Sequence, residues 1–367
     1  MKTSNHPNAK IPHISTVLGP SPLGHEFSEA PLPEKANCIP IKEYQSDVFL
    51  ASSRAACPTV FSGKEEKYRK VVANIRASIE ADNKNPLQEM SRSILLAHEH
   101  LPPRGLVVLF HGWSAGTWQY EHIAKKLYHS GFTVYAPRLP GHGFSKPDGL
   151  QDNRFLPKYS ETRAYENYVT KIYRQIEEMP SEKSLIGFSG GGAIAMRTMQ
   201  QYSGFKKGVL IAPFLRPQAD YAKKLTRVLS AIEPYTFGGL GAVMNRIPYD
   251  MGQPGTKEGL AKGLSGHGDV SLGNVGALIK FGERVLDDAK PISTPVSIIM
   301  SAADSQSDSD AIRSLNAKLM GNPKNSYFEY PASMQVPHTM LHPKEAGCPK
   351  KFTDEVYTQA SQFLLKD

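Results

Sequence analysis

Ser184-Leu185-Ile186-Gly187-Phe188-Ser189-Gly190-Gly191-Gly192-Ala193 reads as a short apolar strand that breaks at a serine and resumes as a helix of small residues. Ser189 sits at the centre of G-x-S-x-G, the spacing of a nucleophile elbow. A residue on so sharp a strand-to-helix turn has to accept strained backbone angles. Glycines two positions to either side, Gly187 and Gly191, remove the Cβ atoms that would hold strand and helix apart. The hydroxyl is then exposed at the end of the strand. The pattern occurs a second time, at Gly112-Trp113-Ser114-Ala115-Gly116 after the apolar run 107–110, so the motif alone does not select the nucleophile.

Around the elbow, apolar strands alternate with amphipathic helices. Strands are predicted over 93–96, 106–110, 132–136, 184–188 and 208–212, with helices over 118–129 and 162–178 between them. Such alternation implies an α/β fold whose mostly parallel sheet is covered by helices on both faces. A further helix is predicted over 62–82, where Ser62 and Glu65 form a capping-box pattern and Tyr68, Val71, Val72, Ile75 and Ile79 share one face. Residues 1–62 carry repeated prolines with little periodicity and read as a surface arm or a partly disordered one. The rhythm fails again between about 213 and 290, where glycines cluster, and returns with strands at 295–300 and 327–330 and a last helix over 353–365. The expected organisation is therefore an arm (1–62), a core (63–213 and 291–367) and an inserted lid (214–290) placed after the sixth strand, above the sheet's carboxyl ends. Gly238-Gly239-Leu240-Gly241 has neither a preceding strand nor a following Lys-Ser/Thr, so it reads as a lid hinge and not a phosphate loop.

Composition narrows the function class. The chain has 367 residues and 40% hydrophobic content, ample for a large core. No apolar run is long enough to cross a bilayer, and residues 1–7 lack the apolar stretch of a secretory signal, so a cytoplasmic location is expected, with signal-independent export left open. Cys38, Cys57 and Cys348 are widely spaced, against a disulfide framework and a structural zinc site. The net charge of +8 is spread among acids, with no basic run interleaved with aromatics. Nucleic acid is not an expected partner; weak contact with an anionic lipid surface is left open, and so is the oligomeric state.

An activated serine needs a base within hydrogen-bond reach and a carboxylate to orient that base, in the chain order Ser, Asp/Glu, His for this kind of sheet. Downstream of Ser189, the strand 295–300 runs into Ser301-Ala302-Ala303-Asp304, which sets a carboxylate just beyond a strand's C-terminal end. Asp308 and Asp310 compete, but Asp308 has the position of an N-cap for a helix over 309–319 and Asp310 that of a first-turn charge. For the base, His338 opens the loop after the strand 327–330, and His342 is the alternative. The oxyanion needs two N–H donors, one from the residue after the nucleophile and one from a loop after an earlier strand. His111-Gly112-Trp113 is that loop, so the N–H groups of Trp113 and Gly190 are the candidates. Ser114 then belongs to the oxyanion loop and Ser189 is the nucleophile. Such chemistry requires no metal or cofactor.

The runs 107–112 and Ala136-Pro137-Arg138-Leu139-Pro140-Gly141-His142-Gly143, the elbow, Ser301-Ala302-Ala303-Asp304 and the segment from His338 to Glu345 together resemble the monoacylglycerol lipase and lysophospholipase branch of the α/β-hydrolases. The resemblance spans about 106–345. It implies the α/β-hydrolase fold, structural roles for His111 and His142, and hydrolysis of a small lipid-type acyl ester through an acyl-enzyme. Thioester or aminopeptidase-like amide hydrolysis uses the same groups, and a non-catalytic binding protein on this fold is the lesser alternative. Where that family has His before and Met after the serine, this chain has Phe188 and Gly190, which bears on the acyl pocket. Leu240, Val243, Met244, Ile247 and Met251 of the lid either line an acyl site or pack the lid down.

Overall fold

The strand Leu106–Phe110 shows how the sheet is built, since all five of its side chains are buried. Leu106, Val108 and Phe110 join one apolar cluster, while Val107 and Leu109 join another. Side chains alternate across a strand, so a strand apolar at every position has to be covered on both faces. A computed structural model describes residues 63–366 apart from 103, 162, 219–238, 251–256, 263, 265 and 346–347. Its strands are β1 (Ile94–Leu96), β2 (Leu106–Phe110), β3 (Thr133–Ala136), β4 (Lys183–Phe188), β5 (Phe205–Ile211), β6 (Pro248–Asp250), β7 (Asp269–Ser271), β8 (Val296–Ser301) and β9 (Ser326–Tyr330). Seven of them form one sheet in the order β1-β3-β2-β4-β5-β8-β9. Within that sheet, among the described residues, only the β1 pairing with β3 is antiparallel, while β6 and β7 form a separate antiparallel pair.

The helices are α1 (Gly63–Asp82), α2 (Glu121–His129), α3 (Ala164–Ile176), α4 (Gly190–Gln201), α5 (Gly239–Met244), α6 (Lys257–Ala261), α7 (Leu272–Asp287), α8 (Ser309–Leu319) and α9 (Lys350–Leu365). Apolar residues of α1, α3, α4, α7 and α8 cover one face of the sheet, and those of α2 and α9 the other. On α1 the buried face is Tyr68, Val71, Val72, Ile75 and Ile79. Burial of each large side chain contributes on the order of 1.5–3 kcal/mol, so this two-faced cover is the main stabilising term.

The structure refines several expectations. The helix over 118–129 begins as a 3-10 turn, Thr117–Tyr120, before α2. The insertion follows β5, the fifth strand among the described residues and not the sixth, because the described sheet opens with the single short edge strand β1 after a helix. Gly239 begins α5, so the glycine run in its described part is helical. The arm over 1–62, with Ser62, Cys38 and Cys57, lies outside the described residues. Cys348 is a buried free thiol whose sulfur lies 3.3 Å from the Thr353 hydroxyl and 3.8 Å from the Pro349 carbonyl. Among the described residues no helix is long and apolar enough to cross a membrane.

The elbow helix α4 approaches β2 as closely as a backbone permits. A Cβ at Gly191 would fall against the carbonyl oxygens of Phe110 and His111, which are fixed by the sheet and the loop after it. Gly191→Ala is therefore expected to lower stability by about 1–3 kcal/mol, the range for overpacking a filled site. Urea unfolding checks this: the midpoint should fall without a change in slope. An unchanged midpoint would show that strand and helix have room to separate.

Candidate active site

At the end of β4 the chain turns through Ser189 with φ 53° and ψ −121°, a strained conformation for a residue with a Cβ. Hydrogen bonds on both sides hold it there. The Ser189 N–H donates to the Ile211 carbonyl at 2.9 Å, and the Ser189 carbonyl accepts from the N–H groups of Gly192 at 2.8 Å and Phe214 at 2.9 Å. Gly187 is required because a Cβ there would strike the Gly191 carbonyl. These contacts fix where the hydroxyl emerges.

His338 lies on the loop after β9, with its ring between two partners. Its Nδ1 is 2.7 Å from Asp304 Oδ2, and its Nε2 is 2.8 Å from Ser189 Oγ. With a carboxylate accepting from Nδ1–H, Nε2 is left as the acceptor for the serine hydroxyl. Asp304 is itself oriented, since Oδ1 accepts from the N–H groups of Gln306 and Ser307, both at 2.8 Å. Burial disfavours the charged imidazole, but the Asp304 carboxylate outweighs it, with help from Glu345, and holds His338 above its ordinary pKa of 6.5. A contact that sequence reading missed joins the two loops: the buried Ser301 hydroxyl at the end of β8 donates to the Val336 carbonyl at 2.7 Å.

The alternatives occupy other places. Asp308 accepts from the Asp310 N–H at 3.1 Å as the N-cap of α8, and Asp310 pairs with Arg313 at 2.7 Å. His342 stacks on His122 at 5.2 Å and meets Trp118 edge-on at 5.1 Å, and burial lowers its pKa to about 4. Ser114 also has a positive φ, 67°, and its backbone N–H donates to His142 Nε2 at 3.0 Å. The Ser114 carbonyl accepts from the His267 N–H at 2.7 Å, which docks the inserted segment onto this loop.

The loop 111–113 is held from several directions. Leu139 N–H donates to His111 Nε2 at 3.0 Å, and His111 Nδ1–H donates to the Gly112 carbonyl at 2.8 Å. Burial drives the His111 pKa down to about 4 and the His142 pKa well below 6.5, so both rings stay neutral. The Trp113 indole N–H donates to the Tyr165 hydroxyl at 2.9 Å. Beside it, a Cβ at Gly190 would lie 2.8 Å from Trp113 Cβ and 3.4 Å from Trp113 N, so the two candidate donors are neighbours. Among the described residues neither N–H meets a protein acceptor.

This geometry bears on both unusual neighbours of the serine. Any side chain at position 190 would collide with Trp113. Phe188 is buried in the sheet's core, its ring tilted against that of His338 at 5.4 Å. Of the lid positions named from sequence, Val243 is 56% and Ile247 38% exposed, Leu240 is half-buried, Met244 is buried, and Met251 lies outside the described residues. The side chain that approaches Gly190 is Leu278 of α7, 3.4 Å from a Cβ built there. No signal in the sequence separated it from other apolar positions of a buried helix. Among the described residues, no group of three or more His, Cys, Asp or Glu side chains could hold a metal ion.

Known proteins share this architecture. The family described as serine aminopeptidase, S33, matches residues 101–334. A monoacylglycerol lipase of Mycolicibacterium smegmatis is 24% identical over 201 residues, which cover 54% of this chain and 69% of that protein. Two solved structures share the fold. A monoacylglycerol lipase of Paleococcus ferrophilus gives a TM-score of 0.54 at 19% identity, covering 74% of this chain and 97% of that one. A soluble variant of monoglyceride lipase from Saccharomyces cerevisiae gives 0.54 at 14% identity, covering 75% and 91%. Since the family match takes in six of the sheet's seven strands, the elbow and the inserted segment, the chain belongs to the serine aminopeptidase S33 family and has the α/β-hydrolase fold.

Proposed function

We propose that the protein is a serine hydrolase that cleaves carboxylic esters of lipid type through an acyl-enzyme. The observation that carries this reading is the continuous hydrogen-bonded line from Ser189 Oγ through His338 to Asp304. Ser189 Oγ attacks the ester carbonyl as its proton passes to His338 Nε2, while Asp304 keeps the ring in the tautomer that accepts it. The carbonyl oxygen, now negative, is received by the N–H groups of Trp113 and Gly190 at the positive end of α4. His338 then gives the proton to the departing alcohol, and water, activated by the same ring, releases the acid.

The ester preference draws on the relatives named monoacylglycerol lipase and on the apolar Leu278 beside Gly190. In this reading the segment 214–290 is a lid. Its Leu264 packs with Ala115 and Trp118, and His267 binds the Ser114 carbonyl, so it covers the oxyanion loop. The peptidase name of the family keeps amide hydrolysis as the second reading, since amides use the same groups.

Ser189→Ala or His338→Ala should lower kcat on p-nitrophenyl esters by on the order of 10⁴–10⁶, whereas Ser114→Ala should keep the nucleophile. Labelling by a fluorophosphonate probe should vanish in Ser189→Ala and persist in Ser114→Ala; a labelled Ser189→Ala protein would sink the assignment. A rate series over acyl chain length, with an aminoacyl p-nitroanilide alongside, separates the two readings. An optimum at long chains supports the lipid ester, and faster anilide turnover supports the peptidase.

The pH profile tests the base. His338 has to be neutral to accept the proton, and its pKa lies above 6.5, so kcat/KM should rise with pH and reach half its plateau above that value. A profile already flat at pH 6 would exclude His338 from this role.

A further inference from the structure

A second buried carboxylate lies next to the site and the reaction above does not use it. Glu345 follows His338 on the same loop, and its N–H donates to the His342 carbonyl at 3.0 Å. Its Oε1 accepts from Gln119 Nε2 at 2.5 Å, and Gln119 Oε1 in turn accepts from the Gly112 N–H at 2.8 Å. Both side chains are buried. The second oxygen, Oε2, is also buried and has no hydrogen-bond partner among the described residues. A carboxylate left half-satisfied costs free energy that a neutral side chain of the same shape would avoid.

The line ends one residue before Trp113, and the planarity of the peptide unit gives it a consequence. The Gly112–Trp113 peptide carries the Gly112 carbonyl on one edge and the Trp113 N–H on the other. His111 Nδ1–H holds that carbonyl, and Gln119 holds the N–H of the preceding peptide. Gly112 is thus clamped on both sides, and with it the direction in which the Trp113 N–H points. Gln119 must present its oxygen to Gly112 and its NH₂ elsewhere; Glu345, an acceptor only when ionised, selects that orientation over the flipped one.

We propose that Glu345 is a positioning residue of the site, which sets the oxyanion donor Trp113 N–H through Gln119 and Gly112. The inference rests on the serine-hydrolase reading. Its charge acts on the base as well: ionised Glu345 adds to Asp304 in favouring the charged form of His338, the form that appears as the serine loses its proton. Burial pushes the Glu345 pKa up to about 7, against the pull of the Gln119 hydrogen bond and of His338. The titratable groups that feel Glu345 are His338, Cys348 and Tyr357, and the other carboxylate facing His338 is Asp304.

The test compares wild type, Glu345→Gln and Gln119→Met with a p-nitrophenyl ester, with thermal melts to confirm folding. Both variants should lose on the order of 10- to 100-fold in kcat, below the loss for outright removal of an oxyanion donor, with KM within about twofold. Glu345→Gln should also move the acid limb of kcat/KM to lower pH, because a charge that raised the His338 pKa is gone; Gln119→Met should move it in the same direction and no further, because losing the hydrogen bond that held the Glu345 pKa down favours its neutral form. The two losses should not add in the double variant, since both break one line. Wild-type kcat in either folded variant, or a rise in KM alone, overturns the inference. Should one variant fail to fold, the other decides by the same readout. A wild-type protein that neither turns over esters nor labels with a fluorophosphonate overturns the serine-hydrolase reading, and the inference with it.

Discussion

Much of this molecule follows from one close approach, that of the first turn of α4 to the end of β2. Gly191 sits against the carbonyls of Phe110 and His111, and Gly190 sits against Trp113. That approach packs the helix on the sheet and, by the same contact, brings the loop after β2 beside the turn at Ser189. The N–H groups of Trp113 and Gly190 therefore become neighbours as a result of core packing. The strain of a serine at φ 53° is sustained because its N–H and carbonyl are both tied to neighbouring segments.

Parallel strand order does the rest of the positioning. β4, β8 and β9 all end at the same edge of the sheet, so Ser189, Asp304 and His338 emerge there from three loops. Short polar ties then set their spacing: Ser301 to the His338 loop, and Gln306 and Ser307 to Asp304. Electrostatics separates the histidines by environment. His111, His142, His267 and His342 have lowered pKa values dominated by burial, whereas His338, as fully buried, is raised because a carboxylate meets its ring. The rings of His111, His142 and His342 serve as hydrogen-bond partners within the loops, and the one beside a carboxylate is suited to move a proton.

The second match to the elbow pattern, at Ser114, stands in different surroundings from the first. Ser114 shares a positive φ with Ser189, yet its backbone N–H and carbonyl are engaged by the His142 ring and the His267 N–H, whereas the Ser189 hydroxyl meets His338 Nε2. Its loop is a docking point for the segment around Leu264 and His267.

The sequence by itself determined the alternation of strands and helices, the buried face of α1, the capping role of Asp308, and Ser189, Asp304 and His338 as candidates in their order. Periodicity, caps and strained glycine turns are local properties, so neighbouring residues carry them. Only the tertiary structure decided which of two serines meets an imidazole, that Phe188 lies against His338 while Leu278 approaches Gly190, and that Glu345 reaches Gly112 through Gln119. The Gln119–Glu345 bond joins residues 226 positions apart. No local pattern specifies such a pair, because it exists only after the sheet has brought the loops after β2 and β9 to one edge.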